Sequence, residues 1–174
     1  FAASCSVNNG DNTNPQQGNF LLANISPDAP PLNVYLNGAA FGSGLAYGIY
    51  TPYFPYPAGS YAFSFTDSTS ATVLSNTVNI EASKNYSYFI IDSFSRLKTA
   101  FMQDNIIVPG ADSVYIRFFN FSPDAGPLDL YEASTDTTLY STRLGNDQAG
   151  NPGAIGFNRM KAGIYNLQLK DGVG

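Results

Sequence analysis

From residue 19 onward, apolar and polar side chains alternate with a period of two, the pattern of strands that bury one face. Phe20 and Leu22 share a side with Asn24, and Ile116, Phe118 and Asn120 repeat that arrangement. Leu32, Val34 and Leu36 oppose Asn33, Tyr35 and Asn37. Tyr61, Phe63 and Phe65 alternate with Ala62, Ser64 and Thr66, Val78 and Ile80 follow, and Tyr86, Tyr88 and Ile90 alternate with Ser87, Phe89 and Ile91. Strands are thus predicted over 60–66, 73–81, 85–91 and 164–170. A slip of one residue would turn Phe63 and Phe65 outward, so the same pattern sets the register. No window places apolar residues at helical spacing over three turns, so helix is expected to be nearly absent. Turn signals separate the runs. Asn37-Gly38 is a two-residue hairpin signal. In Ser26-Pro27-Asp28-Ala29 and Ser122-Pro123-Asp124-Ala125, proline presets φ and the aspartate is expected to cap its own turn.

Eleven residues recur almost unchanged. Asn24 to Val34 reappear as Asn120 to Leu130, at an offset of 96 (120 − 24), and a tyrosine follows each copy, Tyr35 and Tyr131. A second landmark, Ala58-Gly59-Ser60-Tyr61, returns as Ala162-Gly163-Ile164-Tyr165 at an offset of 104 (162 − 58). Eight residues are therefore inserted between the second pair of landmarks, within Glu132–Asn158, as a surface insertion or a binding loop. A period this long suits a small domain and not a solenoid repeat. The expected fold class is all-β: two tandem antiparallel immunoglobulin-like β-sandwich modules, the second lacking its last strands. The expected division is a flexible tether over 1–18, a first module over 19–111 and a second, C-terminally incomplete module over 112–174. Three accounts of the incomplete module stand open: a natural chain that continues past Gly174, a degenerate module, or strands donated by a partner.

Composition narrows the function classes. Charged residues make up 12% of the chain and aromatics 14%, so Ser, Thr, Asn and Tyr must cover much of the surface, as in many extracellular β-proteins. With a net charge of −5 and eight scattered Lys and Arg, nucleic acid and anionic membrane surfaces are disfavoured as partners. Histidine is absent and cysteine occurs once. Histidine-dependent triads, histidine metal sites and an intramolecular disulfide are thereby excluded. Cys5 follows Ala2-Ala3-Ser4 and precedes a polar run to Gly18, which is similar to the lipidated end of a bacterial lipoprotein signal. An incidental thiol in a flexible tail is the alternative.

Other candidates are weaker in chemistry. Calcium needs six to eight oxygens with several carboxylates converging, and Asp28, or Asp124 with Asp129, offers too few. Tyr47, Tyr50, Tyr53, Phe54 and Tyr56 alternate with Pro52, Pro55 and Pro57. This run either packs at a sheet edge or presents Tyr50, Phe54 and Tyr56 as a contact surface for protein or sugar. Asp67-Ser68-Thr69, Asp112-Ser113-Val114 and Asp136-Thr137-Thr138 are similar to an O-glycan acceptor pattern of some Gram-negative envelope proteins. Ser68, Ser113 and Thr137 would be the acceptors, with solvated turns the alternative. Glycoside hydrolysis needs two carboxyls within ~5–9.5 Å in a cleft, and no pattern pairs them. No enzyme activity and no cofactor are expected.

The motif Asn-x-Ser-Pro-Asp-Ala-x-Pro-Leu-Asn/Asp-Val/Leu-Tyr, then Tyr47-Gly48, then Ala-Gly-x-Tyr, resembles the domain of unknown function 4397 family. The resemblance covers nearly all of 19–174, although the second copy lacks the Tyr-Gly pair. It implies an envelope-associated or secreted β-sandwich and carries no activity or ligand with it. The expectation is a non-enzymatic structural or protein-interaction module of the bacterial envelope or cell surface: an outer-membrane lipoprotein, a periplasmic protein or a secreted one. The alternative is a carbohydrate-binding module of an adhesion or glycan-uptake system. Expected partners are an envelope or extracellular protein, a glycan, and a strand donor for the second module, with membrane contact only through a lipid on Cys5.

Overall fold

The structure, a computed structural model, describes residues 16–147 and 156–172. Among the described residues the regular elements are strands, with a short 3₁₀ turn at Phe94–Arg96. The first eight strands are β1 (Gln17–Asn24), β2 (Leu32–Leu36), β3 (Ala39–Leu45), β4 (Phe54–Pro57), β5 (Gly59–Thr66), β6 (Thr72–Ile80), β7 (Asn85–Ile91) and β8 (Lys98–Gln103). They form two four-stranded sheets, β4-β1-β7-β8 and β3-β2-β5-β6. One sheet turns Phe20, Leu22, Tyr86, Tyr88 and Ile90 inward, and the other turns Leu32, Val34, Leu36, Phe63, Phe65, Val78 and Ile80 inward. These are the positions that the period-two alternation selects. Burying each contributes about 1.5–3 kcal/mol against leaving it in water.

The strands predicted over 60–66, 73–81 and 85–91 are β5, β6 and β7, each within a residue at either end. Two strands carry too little pattern to stand out in the sequence. Two prolines interrupt β4, an edge strand on β1, and β8 shows only Ala100 and Met102 as alternate buried positions. One pairing departs from the antiparallel expectation: β1 and β7 run parallel, from Asn19↔Asn85 to Asn24↔Ile90. The turn between β6 and β7 has to pass directly over β1 to bring β7 alongside. Gly18 makes room for it, because a Cβ there would sit 2.4 Å from the Glu81 carbonyl oxygen and 2.7 Å from Ile80 Cγ2.

Beyond residue 112 come β9 (Ser113–Ile116), β10 (Leu128–Glu132), β11 (Thr137–Arg143), β12 (Asn158–Lys161) and β13 (Leu167–Asp171), in sheets β12-β9 and β11-β10-β13. Their pairing repeats that of β1 to β5. Gln17↔Pro57 corresponds to Ser113↔Lys161, and Leu36↔Phe63 to Glu132↔Leu167, with offsets of 96 and 104. Leu32↔Leu45 corresponds to Leu128↔Arg143, at offsets of 96 and 98. The eight-residue insertion is therefore split. Two residues lengthen the β10–β11 turn (98 − 96), and six fall between Arg143 and Asn158 (104 − 98). The strand predicted over 164–170 begins later, at Leu167.

A missing Tyr-Gly pair does not abolish the second hairpin. Gly48 takes a positive φ of 76° and donates its N–H to the Asn24 carbonyl; Asn146, φ 58°, does the same to Asn120. Asparagine is among the few side chains that tolerate this conformation. The inward positions differ more. Phe63 and Phe65 are 2% and 0% exposed, whereas their equivalents Leu167 and Leu169 are 46% and 58% exposed.

Candidate functional site

Polar and aromatic groups converge where the chain passes from β8 into β9. On β7, both faces are buried, and Ser87, Phe89 and Ile91 point away from the first core. Residues after β9 run along that outer face. Ile91, Ala100 and Met102 are buried there, with Ile25, Phe89, Phe119 and Phe121 packed against them. Ring centroids of Phe89 lie 6.1 Å from Phe119 and 5.0 Å from Phe121.

At one end of this seam sits Asp104, its side chain wholly buried. Tyr53 Oη donates to its Oδ2 at 2.6 Å and Ser87 Oγ donates at 2.7 Å. Arg117 Nη2 lies 2.5 Å from its Oδ1. The Arg117 guanidinium is itself held between the rings of Phe119 and Phe157, 4.7 Å and 4.6 Å from their centroids. Such stacking favours arginine, whose planar cation is more weakly hydrated than an ammonium and so loses less on leaving water. Burial, then the hydrogen bond to Asp104, pushes the Tyr53 hydroxyl up to about 12. Two clefts flank the seam. The larger, about 470 Å³, is lined by Tyr47, Phe118, Phe121, Asp124, Leu128 and Leu169 among others. The smaller, about 210 Å³, includes Asp92, Arg96, Lys98 and Ser122. Asp104 lines neither, so the arrangement fastens two strand sets together and presents no carboxyl to a cleft.

Each Ser-Pro-Asp-Ala segment is organised by the asparagine before it. Asn24 Nδ2 donates to the Leu45 carbonyl at 3.0 Å, and its Oδ1 accepts Ser26 N–H at 3.0 Å. Asn120 repeats this with the Arg143 carbonyl and Ser122 N–H, at 3.0 and 3.1 Å. The aspartate does not cap its own backbone turn as expected. Asp28 Oδ1 accepts the N–H of Phe94, 66 residues away, at 2.7 Å, and Asp124 accepts its neighbour Ser122 Oγ at 2.9 Å. Among the described residues, no three His, Cys, Asp or Glu side chains converge as a metal site.

The remaining candidates fall in different places. Phe54 and Tyr56 do not form an open contact surface: both lie on β4 and pack on Phe20, at centroid distances of 4.2 and 5.9 Å. Tyr50 is 73% exposed, and its exposed neighbours are Tyr47 and Ile49. Ser68 and Thr137 are exposed. Ser113 is buried, its Oγ donating to the Gly110 carbonyl, so a glycan has no room there. Cys5 lies outside the described residues.

Sequence reasoning passed over Glu132, which stands where Leu36 stands in the first set (36 + 96). It is buried and accepts Thr135 Oγ1 at 2.6 Å, Thr135 N–H at 2.7 Å, Asn166 N–H at 3.0 Å and Ser134 N–H at 3.2 Å. The Thr135 hydroxyl first, then those backbone donors, hold its carboxyl down to about 2. A Glu three residues before a Thr in a Ser-Thr turn was the available signal.

A family described as Domain of unknown function (DUF4397) matches residues 18–131. The chain belongs to the DUF4397 family. That single DUF4397 match spans β1 to Tyr131 on β10, so it contains both Asn-x-Ser-Pro-Asp-Ala segments and all of the seam's Asp104, Arg117 and Phe119. A search of curated proteins returns no match to this DUF4397 chain. No helix among the described residues is long and apolar enough to cross a membrane.

Proposed function

We propose that this DUF4397 protein is a non-enzymatic structural or protein-interaction component of the bacterial cell envelope, built of two tandem immunoglobulin-like units. The observation that carries this reading is the seam. A buried ion pair, two hydroxyl donors and an aromatic cluster join the two strand sets, an investment suited to holding a fixed shape for a partner. The repeated strand registers, five strands long, support the tandem reading. Low charge, a Ser/Thr/Asn-rich surface and a single cysteine at position 5 support the envelope reading, with Cys5 as lipid acceptor. Metabolic labelling with a palmitate analogue, lost in Cys5→Ser, together with protease shaving of intact cells, tests placement.

The exposed Tyr47 and Tyr50 rings favour one second reading, carbohydrate binding, since aromatic faces stack on sugars. Cross-linking in native envelopes and a glycan array separate the two. Protein adducts with no glycan signal support the first reading. A saturable glycan signal lost in Tyr47→Ala/Tyr50→Ala supports the second, and turnover of an ester, peptide or glycoside panel overturns both.

A further inference from the structure

In the sandwich of β1 to β8, the strands at sheet edges are β4, β8, β3 and β6. An edge strand carries main-chain groups without ladder partners, and folded proteins blunt it with proline, charge, bulges or shortness. The first three are blunted in this way. β4 has four residues, two of them proline. β3 breaks register against β2 on both sides of Val34. β8 opens on Lys98, which pairs with Asp92. β6 has none of these devices. Its nine residues, Thr-Val-Leu-Ser-Asn-Thr-Val-Asn-Ile, include no charge, proline or glycine, and it is the longest strand among the described residues.

The direction of its free main-chain groups follows from β5. Asn37 N–H donates to the Ala62 carbonyl at 2.8 Å, and Ala62 N–H donates to Asn37 Oδ1 at 2.9 Å. Both Ala62 main-chain groups therefore turn toward β2, and Ala62 faces Thr77 across the β5–β6 pair without bonding to it. The N–H and C=O of Thr77 point away from β5, out of the sheet edge, and with a period of two so do those of Ser75 and Asn79. None of these six groups bonds to a neighbour among the described residues. The three side chains are exposed and uncharged. Behind them, Asn76 Nδ2 donates to Thr99 Oγ1 on β8 at 2.8 Å, which ties the two sheets together and holds the edge in place.

We propose that β6 pairs antiparallel with β6 of a second copy of this chain, about a two-fold axis at Thr77, the middle of the three outward-pointing residues. The edge complements itself in this register. Thr77 faces its own counterpart, Ser75 faces Asn79 of the other copy, and half-buried Leu74 meets Ile80. Threonine opposite threonine is a favourable cross-strand pair. The net charge of −5 makes copies repel, whereas β6 sets no like charges opposite each other. Glu81, just past its end, falls opposite position 73, so the two Glu81 carboxylates lie eight residues (81 − 73) or roughly 27 Å apart, well beyond the ~8–10 Å screening length. A two-fold contact uses up the open edge of both copies and closes at two. The proposal is independent of the envelope role.

Sedimentation equilibrium of the 174-residue chain, in reductant so that Cys5 cannot link copies, is the test. A monomer–dimer equilibrium is expected, with dimer populated as concentration rises toward ~1 mM, since interfaces under ~1,200 Å² are weak. Amides of Ser75, Thr77 and Asn79 should gain protection from hydrogen exchange with concentration, while those of Asn76 and Val78 stay protected throughout. Thr77→Pro removes an outward N–H and no β5 bond, and should weaken association at least tenfold with the circular dichroism unchanged. Thr77→Lys and Thr77→Glu should each do the same at low salt, and mixing these two variants should restore the dimer. A monomer at every concentration, a dimer indifferent to Thr77→Lys, or a Lys/Glu mixture no better than either variant alone would each overturn the proposal.

Discussion

Removing the Asp104 carboxylate is the sharpest perturbation of the seam. Its side chain is fully buried and Arg117's is 11% exposed, so solvent screening offers little relief. Asp104→Ala leaves the guanidinium without its counter-charge between Phe119 and Phe157, and leaves the Ser87 hydroxyl, on a residue 1% exposed, without its acceptor. Breaking a buried pair from one side costs about 3–5 kcal/mol, a large share of the ~5–15 kcal/mol that holds a typical fold. With a urea m-value near ~2 kcal/mol/M, the midpoint should fall by roughly 2 M. Phenolate absorbance gives a second readout. Burial first and the Asp104 hydrogen bond second push the Tyr53 hydroxyl up to about 12, so its pKa should drop in Asp104→Ala yet stay above that of a free tyrosine. A loss under ~1 kcal/mol, the value of an exposed ion pair, with Tyr53 titrating unchanged, would refute a buried, dry seam.

Asn24→Ala should cost about 2–4 kcal/mol, because Ser26 N–H and the Leu45 carbonyl each lose a buried partner; thermal melts check this, and Asn120→Ala should show the same sign. Gly18→Ala forces a Cβ against the Glu81 carbonyl and Ile80 and should cost about 1–3 kcal/mol, with faster hydrogen exchange concentrated in β1. Stability should also fall at both pH extremes. Tyr53 and Tyr88 are both raised to about 12, so their contribution is full below pH ~10 and is lost as pH rises from there toward 12. Glu132, lowered to about 2, contributes fully above its unfolded value and loses that contribution as pH falls from about 4.5 toward 2. Glu132→Gln should flatten the acid limb alone.

Strands with one buried face were legible in the sequence because alternation reports a face, and Phe63, Phe65, Tyr88 and Ile90 lie where the pattern puts them. What the pattern could not report is which strand meets which. Parallel pairing of β1 with β7 depends on contacts 66 residues apart, and nothing local in either strand encodes direction. The seam was half visible: Phe89 and Ile91 are as apolar as the residues opposite them, which marks a strand covered on both sides. Asp104 and Arg117 were not legible, since a lone acidic residue at a strand end reads as a solvated turn until its partner is placed. Assigning a turn cap to the aspartate of Ser-Pro-Asp-Ala overlooked Asn24 and Asn120, which sit earlier and reach both the turn and the end of β3 or β11.

Parallel pairing has a mechanical consequence. Because β1 and β7 run together and β8 runs back, Phe20, Tyr86 and Gln103 stand in one row across the sheet. The polypeptide thus joins and leaves the sandwich of β1 to β8 at one end, two inter-strand steps or about 10 Å apart. Tension between whatever precedes Gln17 and the strands after Ser113 would bypass the body of that sandwich, which hangs to the side of the load path and adds bulk without reach.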